Sequence, residues 1–471
     1  MSSNATSSNI TAAFVDLATY DEPEKYMYGG DTAVTYFVKK VRKATWFSVI
    51  PTVLSISGGN PGFGQSWGHK ISRAGDYLLR TWLRVSIPSV TLASVPNGWT
   101  LTDCNIRWCR NLGHALIKEI NLAFNDLVSQ RMDNYYLDFW AAYTIPAGKQ
   151  NGYNNMVGNY AELTDPVSIV GPSAARTLPA AILNVPLPFF YARDTGIALP
   201  TAALPYNDMI HNLQFRDINE LLIVDNYRLG LSDVCQRSNL SNANPALGCD
   251  MWAEYAIVSN VERAQMGKAP RDMLIEQVQI APKGNFTPSS QLQNFDIRFA
   301  HSIKALFFGI RNKTNAAEWS NYTAASPVPT VNGVNFAPAL ASDPISQTTL
   351  FYENTARLVN MGSDYFSLIV PYYAAVAIPK ETGYHLLSYT LDLVNTNPMG
   401  STNYGKLTNV SLQFQASTDA VSAAAAAGTM AAPGVLASSG APYAQTYESI
   451  IMGLNHNIVR VSGGALGFPI L

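Results

Sequence analysis

The sequence is 471 residues long, enough for two or three domains that each bury a hydrophobic core, and 47% of its residues are hydrophobic. Only 14% are charged, below the roughly 25% of ordinary soluble domains, and the net charge is -2. No basic run exceeds VKKVRK at residues 38–43, so the composition argues against electrostatic binding to nucleic-acid phosphates.

The scarcity of charged residues has two interpretations. A chain that hides much of its surface against partners needs few charges, because charged residues are depleted where interfaces are buried. A β-rich protein with Ser, Thr, Asn and Tyr on its outside would have the same composition, and 24 Tyr and 32 Gly are consistent with it. We favour assembly with partners.

The first 30 residues lack the charged start and apolar core of a secretory signal peptide. The sequence also has no run of about 18 apolar residues that could cross a membrane. We therefore expect synthesis and folding in the cytoplasm, where Asn-x-Ser/Thr sequons are not glycosylated. Seven such sequons are present, at Asn4, Asn9, Asn239, Asn285, Asn312, Asn321 and Asn409.

The N-terminal segment is predicted to be an arm ahead of the first domain. Residues 1–10 are rich in Ser, Asn and Thr and are expected to be disordered, whereas 11–28 can form a short helix limited by Pro23 and stopped by Gly29 and Gly30. Two strand-like runs follow within residues 32–54, with the lysines of 38–43 solvated on a strand. The alternative for that basic run is contact with lipid headgroups or an acidic neighbour.

Two glycine-containing motifs follow, and neither predicts chemistry. The loop GGNPGFG at residues 58–64 lacks the spacing of a phosphate-binding loop, and no helix clearly follows it. GQSWG at residues 64–68 matches the nucleophile-elbow pattern around Ser66, but a strand-like segment leaves the turn where that motif needs a helix. Two alternating strands come next, at residues 77–88 and 117–126.

The cysteines allow two sites that we do not favour. Cys104, Cys109 and His114 are spaced five apart, but an odd step along a strand alternates faces, and a fourth zinc ligand is missing. Cys235 and Cys249 flank one loop and could form a disulfide, whereas cytoplasmic folding favours free thiols. No catalytic, cofactor-binding or metal-binding residue is therefore predicted.

The segment from Val185 to Phe215 predicts a strand, a tight connector and a second strand. Prolines 186 and 188 end the first strand, and Asp194 is placed to cap a short turn. In the second strand Met209, His211, Leu213 and Phe215 alternate with polar residues, as in a half-buried strand. The loop-rich stretch before this segment, residues 144–172, has room for one or two helical turns.

The rest of the chain is predicted to form further strands on both sides of one polar stretch. Strands at 217–226 and 251–260 close the first unit, and residues 261–270, with one helical turn, are the predicted boundary. The second unit is predicted to contain strands at 273–280, 349–352, 365–370, 385–394, 407–414 and 449–461. Residues 416–442 are of low complexity and are expected to be mobile.

Two sequence echoes indicate that the second unit repeats the first. YNDMIHNLQF at 206–215 is similar to YGKLTNVSLQF at 404–414, and ISRAGDYLLRTWLR at 71–84 shares its order of residues with IRFAHSIKALFFGIR at 297–311. Both echoes occur in the same order at similar offsets, which is typical of a duplicated domain. The expected division is an arm at 1–30, a first unit at 31–263 and a second at 264–471.

Several longer segments carry a resemblance to a known family. They are LPFFYARDTGIALPTAALPYN (187–207), IRWCRN (106–111), FNDLVSQRMDNYYLDFW (124–140), RDMLIEQVQ (271–279), MGSTNYGKLTN (399–409) and SGGALGFPIL (462–471). Together they resemble the major capsid proteins of iridoviruses, which are large icosahedral DNA viruses. The similarity covers nearly the whole chain and is weakest at 231–250 and 416–442.

The resemblance implies an all-β double jelly roll, that is, two tandem eight-stranded antiparallel β-sandwiches behind a short N-terminal arm. It implies a non-enzymatic structural protein of the virion shell, assembled in the host cytoplasm as a pseudo-hexagonal homotrimer that contacts neighbouring capsomers and minor capsid proteins. The resemblance is also compatible with contact between the N-terminal arm and an internal membrane. Two alternatives remain open: a double jelly-roll scaffold that shapes a membrane and is then discarded, and a jelly-roll enzyme or carbohydrate-binding protein.

Overall fold

The computed structural model describes residues 3–95, 99–125, 127–166, 176–226, 231–325, 342–426 and 444–469. The chain divides into two compact units, Met1–Trp46 and Phe47–Leu471. Most of residues 416–442, expected to be mobile, lie outside the described residues. No helix in the described ranges is both long enough and apolar enough to cross a membrane.

The unit Met1–Trp46 contains two helices, α1 (Ser3–Ala18) and α2 (Glu22–Tyr28). The expected disorder of residues 1–10 is therefore wrong from Ser3 onward, because that stretch forms the first half of α1. Pro23 starts a helix rather than limiting one: it lies in the first turn of α2, where its missing N–H is not needed, behind the capping residue Asp21. Gly29 follows the last residue of α2, as predicted.

Of the two strands predicted within residues 32–54, the first is wrong and the second is found. Residues 31–46 form no strand, so the basic run at 38–43 is not on a sheet, and β1 begins only at Phe47. A strand needs a partner to complete its hydrogen bonds, and the described residues offer none to this run in spite of its β-branched and aromatic residues. Tyr36 and Phe37 are almost fully exposed.

The first jelly roll is built from two sheets. The described strands of this half are β1 (Phe47–Val53), β2 (Ser55–Gly58), β3 (Ser66–Lys70), β4 (Tyr77–Ile87), β5 (Val90–Thr91), β6 (Cys104–Trp108), β7 (Ile117–Phe124), β8 (Leu127–Met132), β9 (Thr177–Leu178), β10 (Ala181–Leu187), β11 (Met209–Phe215), β12 (Leu222–Asn226), β13 (Leu231–Val234) and β14 (Gly248–Val258). One sheet has the order β1-β14-β4-β10 and the other β2-β3-β11-β7-β8. All of these pairs are antiparallel.

The connections of this roll carry its helices and two small sheets. Among the described residues, the helices of this roll are α3 (Leu112–Leu116), α4 (Asn134–Thr144), α5 (Ala147–Val157) and α6 (Ala161–Thr164). The sheets have the orders β13-β12-β6 and β5-β9. Helical turns between 144 and 172 were predicted correctly, whereas α4 was not predicted. Asp133 caps α4 by accepting a hydrogen bond from the backbone N–H of Tyr136.

The central segment has the predicted strand, connector and strand. β10 ends at Leu187, directly before Pro188, and Asp194 caps a short 3₁₀ turn by accepting from the N–H of Gly196. β11 then alternates as expected, with Met209, His211, Leu213 and Phe215 buried. This strand lies in the middle of its sheet, between β3 and β7, and one of its two faces is buried.

Pro186 lies within β10 and does not end it, contrary to the prediction. β10 is the last strand in the order β1-β14-β4-β10, and Pro186 faces Trp82 of β4. An edge strand tolerates proline because the missing N–H can be on the side away from the ladder. Of the two prolines, Pro188 marks the end of the strand.

The second jelly roll repeats this arrangement. Its strands are β15 (Arg271–Ile280), β16 (Gly284–Phe286), β17 (Gln293–Ile297), β18 (Ser302–Asn312), β19 (Ile345–Tyr352), β20 (Thr355–Gly362), β21 (His385–Ser388), β22 (Thr402–Asn403), β23 (Val410–Ala416), β24 (Tyr447–Ser462) and β25 (Ala465–Gly467). The two sheets have the orders β15-β24-β18-β21 and β17-β23-β19-β20, and the short strands β16, β22 and β25 pair at the margins of the first.

The described residues of this half contain three helices: α7 (Asn260–Met266) before β15, α8 (Val370–Ala374) and α9 (Thr418–Ala424). The strand predicted at 365–370 is wrong, because Tyr365–Ile369 is a π-helical turn that runs into α8. The run YFSLIV has strand-like composition, but side chains at positions 368 and 369 are both exposed, which a half-buried strand would not allow.

Both sequence echoes fall on matching strands of the two rolls. β4 and β18 are each the third strand in the first sheet of their roll. In the second sheets, β11 lies between β3 and β7, and β23 lies at the equivalent position between β17 and β19. The expected double jelly roll is confirmed by this topology.

β18 lies between two hydrophobic cores and is buried along almost its whole length. Ala305 and Phe307 join the core that includes the first roll, whereas Leu306 and Phe308 join the core inside the second. A strand covered on both faces needs apolar residues at successive positions, which accounts for the run ALFFGI. The two rolls therefore share a packed layer.

Candidate functional site

The sequence motifs around Ser66 have no catalytic geometry. Ser66 is exposed at the first position of β3 and pairs with Gln214 of β11, so a strand leaves the turn, as predicted, and the sharp strand-to-helix turn of a nucleophile elbow is missing. The preceding glycine loop leads into the same strand. It therefore lacks the helix N-terminus that a phosphate-binding loop uses.

The structure separates the three residues of the spaced Cys and His motif. Cys104 is on β6, Cys109 follows that strand, and His114 is on α3 rather than on a strand. Burial raises the pKa of the Cys104 thiol to about 12, so it stays protonated and is a poor metal ligand. In the described part of the chain no group of three or more His, Cys, Asp and Glu side chains is arranged to hold a metal ion.

Cys235 and Cys249 are both free thiols in the structure, as the sequence analysis favoured. Burial raises the pKa of each to about 12. Neither thiol is therefore activated as a nucleophile.

A Ser, His and Asp cluster in the second roll was not predicted. Ser363 and Asp343 both contact Nε2 of His385, at 2.8 Å each, and Ser363 also donates to Asp343. In a catalytic triad the acid lies on Nδ1 and the serine on Nε2, so that the histidine can accept the serine proton. Here both groups are on one nitrogen, and the arrangement is that of a buried structural cluster.

A cavity of 680 Å³ lies between α4, α5 and residues 371–384 and is the candidate cleft for the enzyme or carbohydrate alternative. Its buried titratable groups His114, Asp138 and Tyr153 are paired with one another. His114 contacts Asp138 through Nδ1 at 2.6 Å and Tyr153 through Nε2 at 2.7 Å, so neither ring nitrogen is open to a substrate. Asp138 also accepts hydrogen bonds from Ser320 and Tyr322. The hydrogen bonds of His114 and Asp138 are thus made within the protein, and neither side chain is placed to act on a substrate.

The network belongs to a larger polar seam between the two jelly rolls, formed where residues 315–322, after β18, contact the first roll. Asp225 and Glu318 bind opposite sides of the Arg107 guanidinium, at 2.6 and 2.8 Å. Burial alone would lower the pKa of Arg107, but the two carboxylates raise it above its ordinary value. Glu318, from the second roll, thus forms an ion pair with a buried cation of the first.

Trp319 is the centre of this seam. Its ring lies between the guanidinium of Arg216, 3.5 Å from the ring centroid, and that of Arg311, 4.0 Å away. Its indole N–H donates to the carbonyl of Glu220 at 2.8 Å. Arg216 comes from the first roll and Arg311 from the second, so one side chain holds both rolls through stacking and a hydrogen bond. Sequence reasoning missed the seam, because its partners are about 100 to 200 residues apart.

A group of exposed apolar side chains on the second roll surrounds α8. We call it the α8 surface; its side chains are Leu368, Ile369, Tyr372, Tyr373, Val376 and Ile378. Tyr373 is 78% exposed and Tyr372 is 69% exposed. A soluble subunit rarely leaves two tyrosines and four aliphatic side chains of one short segment in water, and such groups mark surfaces that bind other proteins. This surface is the candidate functional site of the chain.

Comparison with protein families matches both halves of the chain. A family described as "Large eukaryotic DNA virus major capsid protein" matches residues 262–467, and one described as "Major capsid protein N-terminus" matches residues 35–258. The chain is 57% identical to the major capsid protein of Costelytra zealandica iridescent virus, over 99% of each chain. It is 42% identical to that of Frog virus 3, over the full length of both.

Solved structures show the same fold at low sequence identity. The capsid protein in a quasi-atomic model of the PBCV-1 virus capsid superposes with a TM-score of 0.71 at 19% identity, over 93% of this chain and 100% of that one. The Faustovirus major capsid protein superposes with a TM-score of 0.69 at 11% identity, over 92% and 93% of the two chains. The resemblance inferred from the sequence segments is thereby confirmed.

Proposed function

The chain belongs to the major capsid proteins of large eukaryotic DNA viruses, with iridovirus proteins among its relatives, and on that premise we propose that it assembles as a homotrimer that tiles the virion shell. A major capsid protein is a structural component of the virion, and its named relatives are structural rather than enzymatic. The homotrimer and its arrangement in the shell are the proposed part.

The α8 surface is the observation that supports the trimer. It is apolar and aromatic, it lies on a loop connection of the second roll, and one subunit leaves it in water. An obligate interface commonly buries about 2,000 to 5,000 Å² and is depleted of charge, which agrees with a chain of only 14% charged residues. Two rolls of matching topology in each subunit give a trimer six similar sides, as a pseudo-hexagonal capsomer needs.

The remaining parts of this proposal follow from the family. With domain boundaries at residues 30 and 263, the N-terminal arm and the basic run at 38–43 that comes after it would lie next to an internal membrane or another acidic partner. Neighbouring capsomers and minor capsid proteins would cover other faces of the trimer, and synthesis and assembly would take place in the host cytoplasm.

Light scattering on the purified protein tests the trimer. The mass should be three times the 51.2 kDa of one chain and should persist on dilution to nanomolar concentration. Tyr373→Asp should shift the mass to that of a monomer, because a carboxylate would be buried without a partner. Tyr206→Asp is the matched control, since Tyr206 is 75% exposed and lies outside the α8 surface. A wild-type monomer at micromolar concentration would refute the proposal.

The scaffold alternative predicts a different abundance of the protein in mature virions. A protein that shapes a membrane and is then discarded would be scarce in mature particles, whereas a shell protein would be their most abundant component. Quantitative gel analysis of purified mature virions therefore decides between the two.

A further inference from the structure

A second cavity lies between the two jelly rolls, away from the α8 surface. It has a volume of 620 Å³ and is bounded on one side by β7, β8 and the loop after β11, and on the other by residues 278–283 and 298–299. We call it the inter-roll cleft. Nothing in the capsid role accounts for its charge.

Positive groups outnumber negative groups in the inter-roll cleft. Three carboxylates line it, and they are occupied within the protein: Glu119 pairs with Arg131 at 2.6 Å, Asp133 caps α4, and Glu220 accepts the N–H of Asp217. Five cations line the same cleft, namely Lys118, Arg131, Arg216, Lys283 and Arg298. Only Arg131 among them has a carboxylate within ion-pair distance in the described part of the chain.

Arg216 supplies a buried charge at the inner wall. Its residue is only 3% exposed, and its guanidinium donates to the carbonyl of Ala115 at 2.5 Å and to the amide oxygen of Asn134 at 2.9 Å. Both acceptors are neutral, and Asp133 and Glu220, the nearest carboxylates of the cleft, interact with Arg216 only from beyond ion-pair distance. Burial accordingly lowers the pKa of Arg216. An uncompensated buried cation is costly, and an anion nearby would offset that cost.

The opposite wall carries accessible cations. Lys283 and Arg298 both keep exposed side chains, and the Lys283 ammonium lies 4.2 Å from the ring of Tyr135. The surrounding chain desolvates Lys283 and lowers its pKa. Together with Lys118 these groups face the cleft from both rolls, at positions that a single molecule in the cavity could contact.

From this arrangement we propose that the inter-roll cleft binds a small anion that carries several phosphate groups. Guanidinium and ammonium donors both recognise phosphate oxygens, and an excess of two positive charges in the lining suits a multivalent anion better than a single carboxylate. A cavity of 620 Å³ is in the range of small-molecule sites. Because the cations come from both rolls, a bound anion would link them.

Isothermal titration of the full-length protein tests this proposal with two probes, tripolyphosphate and inositol hexakisphosphate, at fixed ionic strength. The two arms separate a linear inorganic source from a phosphorylated polyol. We expect saturable binding of at least one probe. The double variant Lys283→Met, Arg298→Met should weaken it at least tenfold, and both positions are exposed, so the variant should fold.

The matched control is Lys268→Met, Lys406→Met, which removes the same charge from exposed positions outside the cleft and should leave the affinity unchanged. Equal weakening in both double variants, or no saturable binding of either probe, would overturn the proposal. So would binding that is matched by a hexa-aspartate peptide. Light scattering on the same samples reports the oligomeric state, so a failure of binding is distinguishable from a failure of assembly.

Discussion

The polar seam makes a quantitative prediction about the two jelly rolls. Arg107 is buried, with its side chain 8% exposed, and it lies between Asp225 of the first roll and Glu318 of the second. The change Arg107→Met keeps much of the side-chain volume but leaves two buried carboxylates without their cation. Removing one partner of a buried ion pair costs about 3–5 kcal/mol, because the remaining charge stays desolvated.

The expected loss in the free energy of unfolding is larger for the buried ion pairs of Arg107 than for an exposed ion pair of similar geometry. Arg460 and Asp272 form two hydrogen bonds of 2.6 and 2.7 Å, but both side chains are about half exposed. Water and salt screen such a pair, so Arg460→Met should change the free energy of unfolding little. Adding Glu318→Gln to Arg107→Met should restore part of the loss, since one unpaired charge is removed.

Urea unfolding followed by circular dichroism measures these differences. All variants are compared at one protein concentration, because assembly makes the apparent stability depend on concentration. Equal urea midpoints for Arg107→Met and Arg460→Met would refute the assigned role of the buried pair. A larger loss after the addition of Glu318→Gln would refute it as well.

Protonation, thiols and backbone strain give three further expectations. Burial lowers the pKa of His211 to about 3, whereas an unfolded histidine titrates near 6.5. The unfolded state alone therefore binds the proton as the pH falls, and the free energy of unfolding should drop by about 1.6 kcal/mol between pH 6.5 and 5. His211→Gln should remove that share of the slope in unfolding titrations. Thiol counting on unfolded, non-reduced protein should give four, whereas a bridge between Cys235 and Cys249 would give two. Gly383→Ala should lower the free energy of unfolding by at least about 1–3 kcal/mol in thermal unfolding, because φ is +91° and the added Cβ would lie 1.9 Å from the carbonyl oxygen of Tyr322.

The backbone and histidine experiments have their own controls. Gly467→Ala adds a methyl group in open space at an ordinary φ and should leave the thermal midpoint unchanged. His69, which faces His211 across the sheet and whose pKa burial lowers to about 4, contributes a slope of its own, so a slope between pH 6.5 and 5 that is undiminished in His211→Gln would contradict the assignment to His211.

The parts of the fold that were predictable are those in which local pattern and burial agree. β11 alternates because only one of its faces is buried, and its echo in β23 reflects the same place in the second roll. The cap at Asp194 follows from its side chain and the turn after it. Such features need only a short stretch of sequence.

The wrong predictions are those in which the place of a segment in the fold overrides its local composition. The run at 365–370 has the composition of a strand but forms a π-helical turn before α8, because its place in a connection decides its structure. The residues 32–38 look like a strand and have no partner among the described strands. The seam could not be predicted, since nothing local to Arg107 or Arg216 indicates Glu318 or Trp319.

The seam also sets an order of events during synthesis. When the first roll leaves the ribosome, Arg107 lacks Glu318, which lies 211 residues further along the chain, and Arg216 lacks the ring of Trp319. Glu318 lies 60 residues beyond Val258, the end of β14, so at about 5–20 residues per second the completed first roll waits roughly 3–12 s for it. During that interval Arg107 is paired with Asp225 alone, and Arg216 lacks its stacking partner on the face that the second roll will later bury. The nascent first roll is therefore the stage at which a chaperone would be most useful.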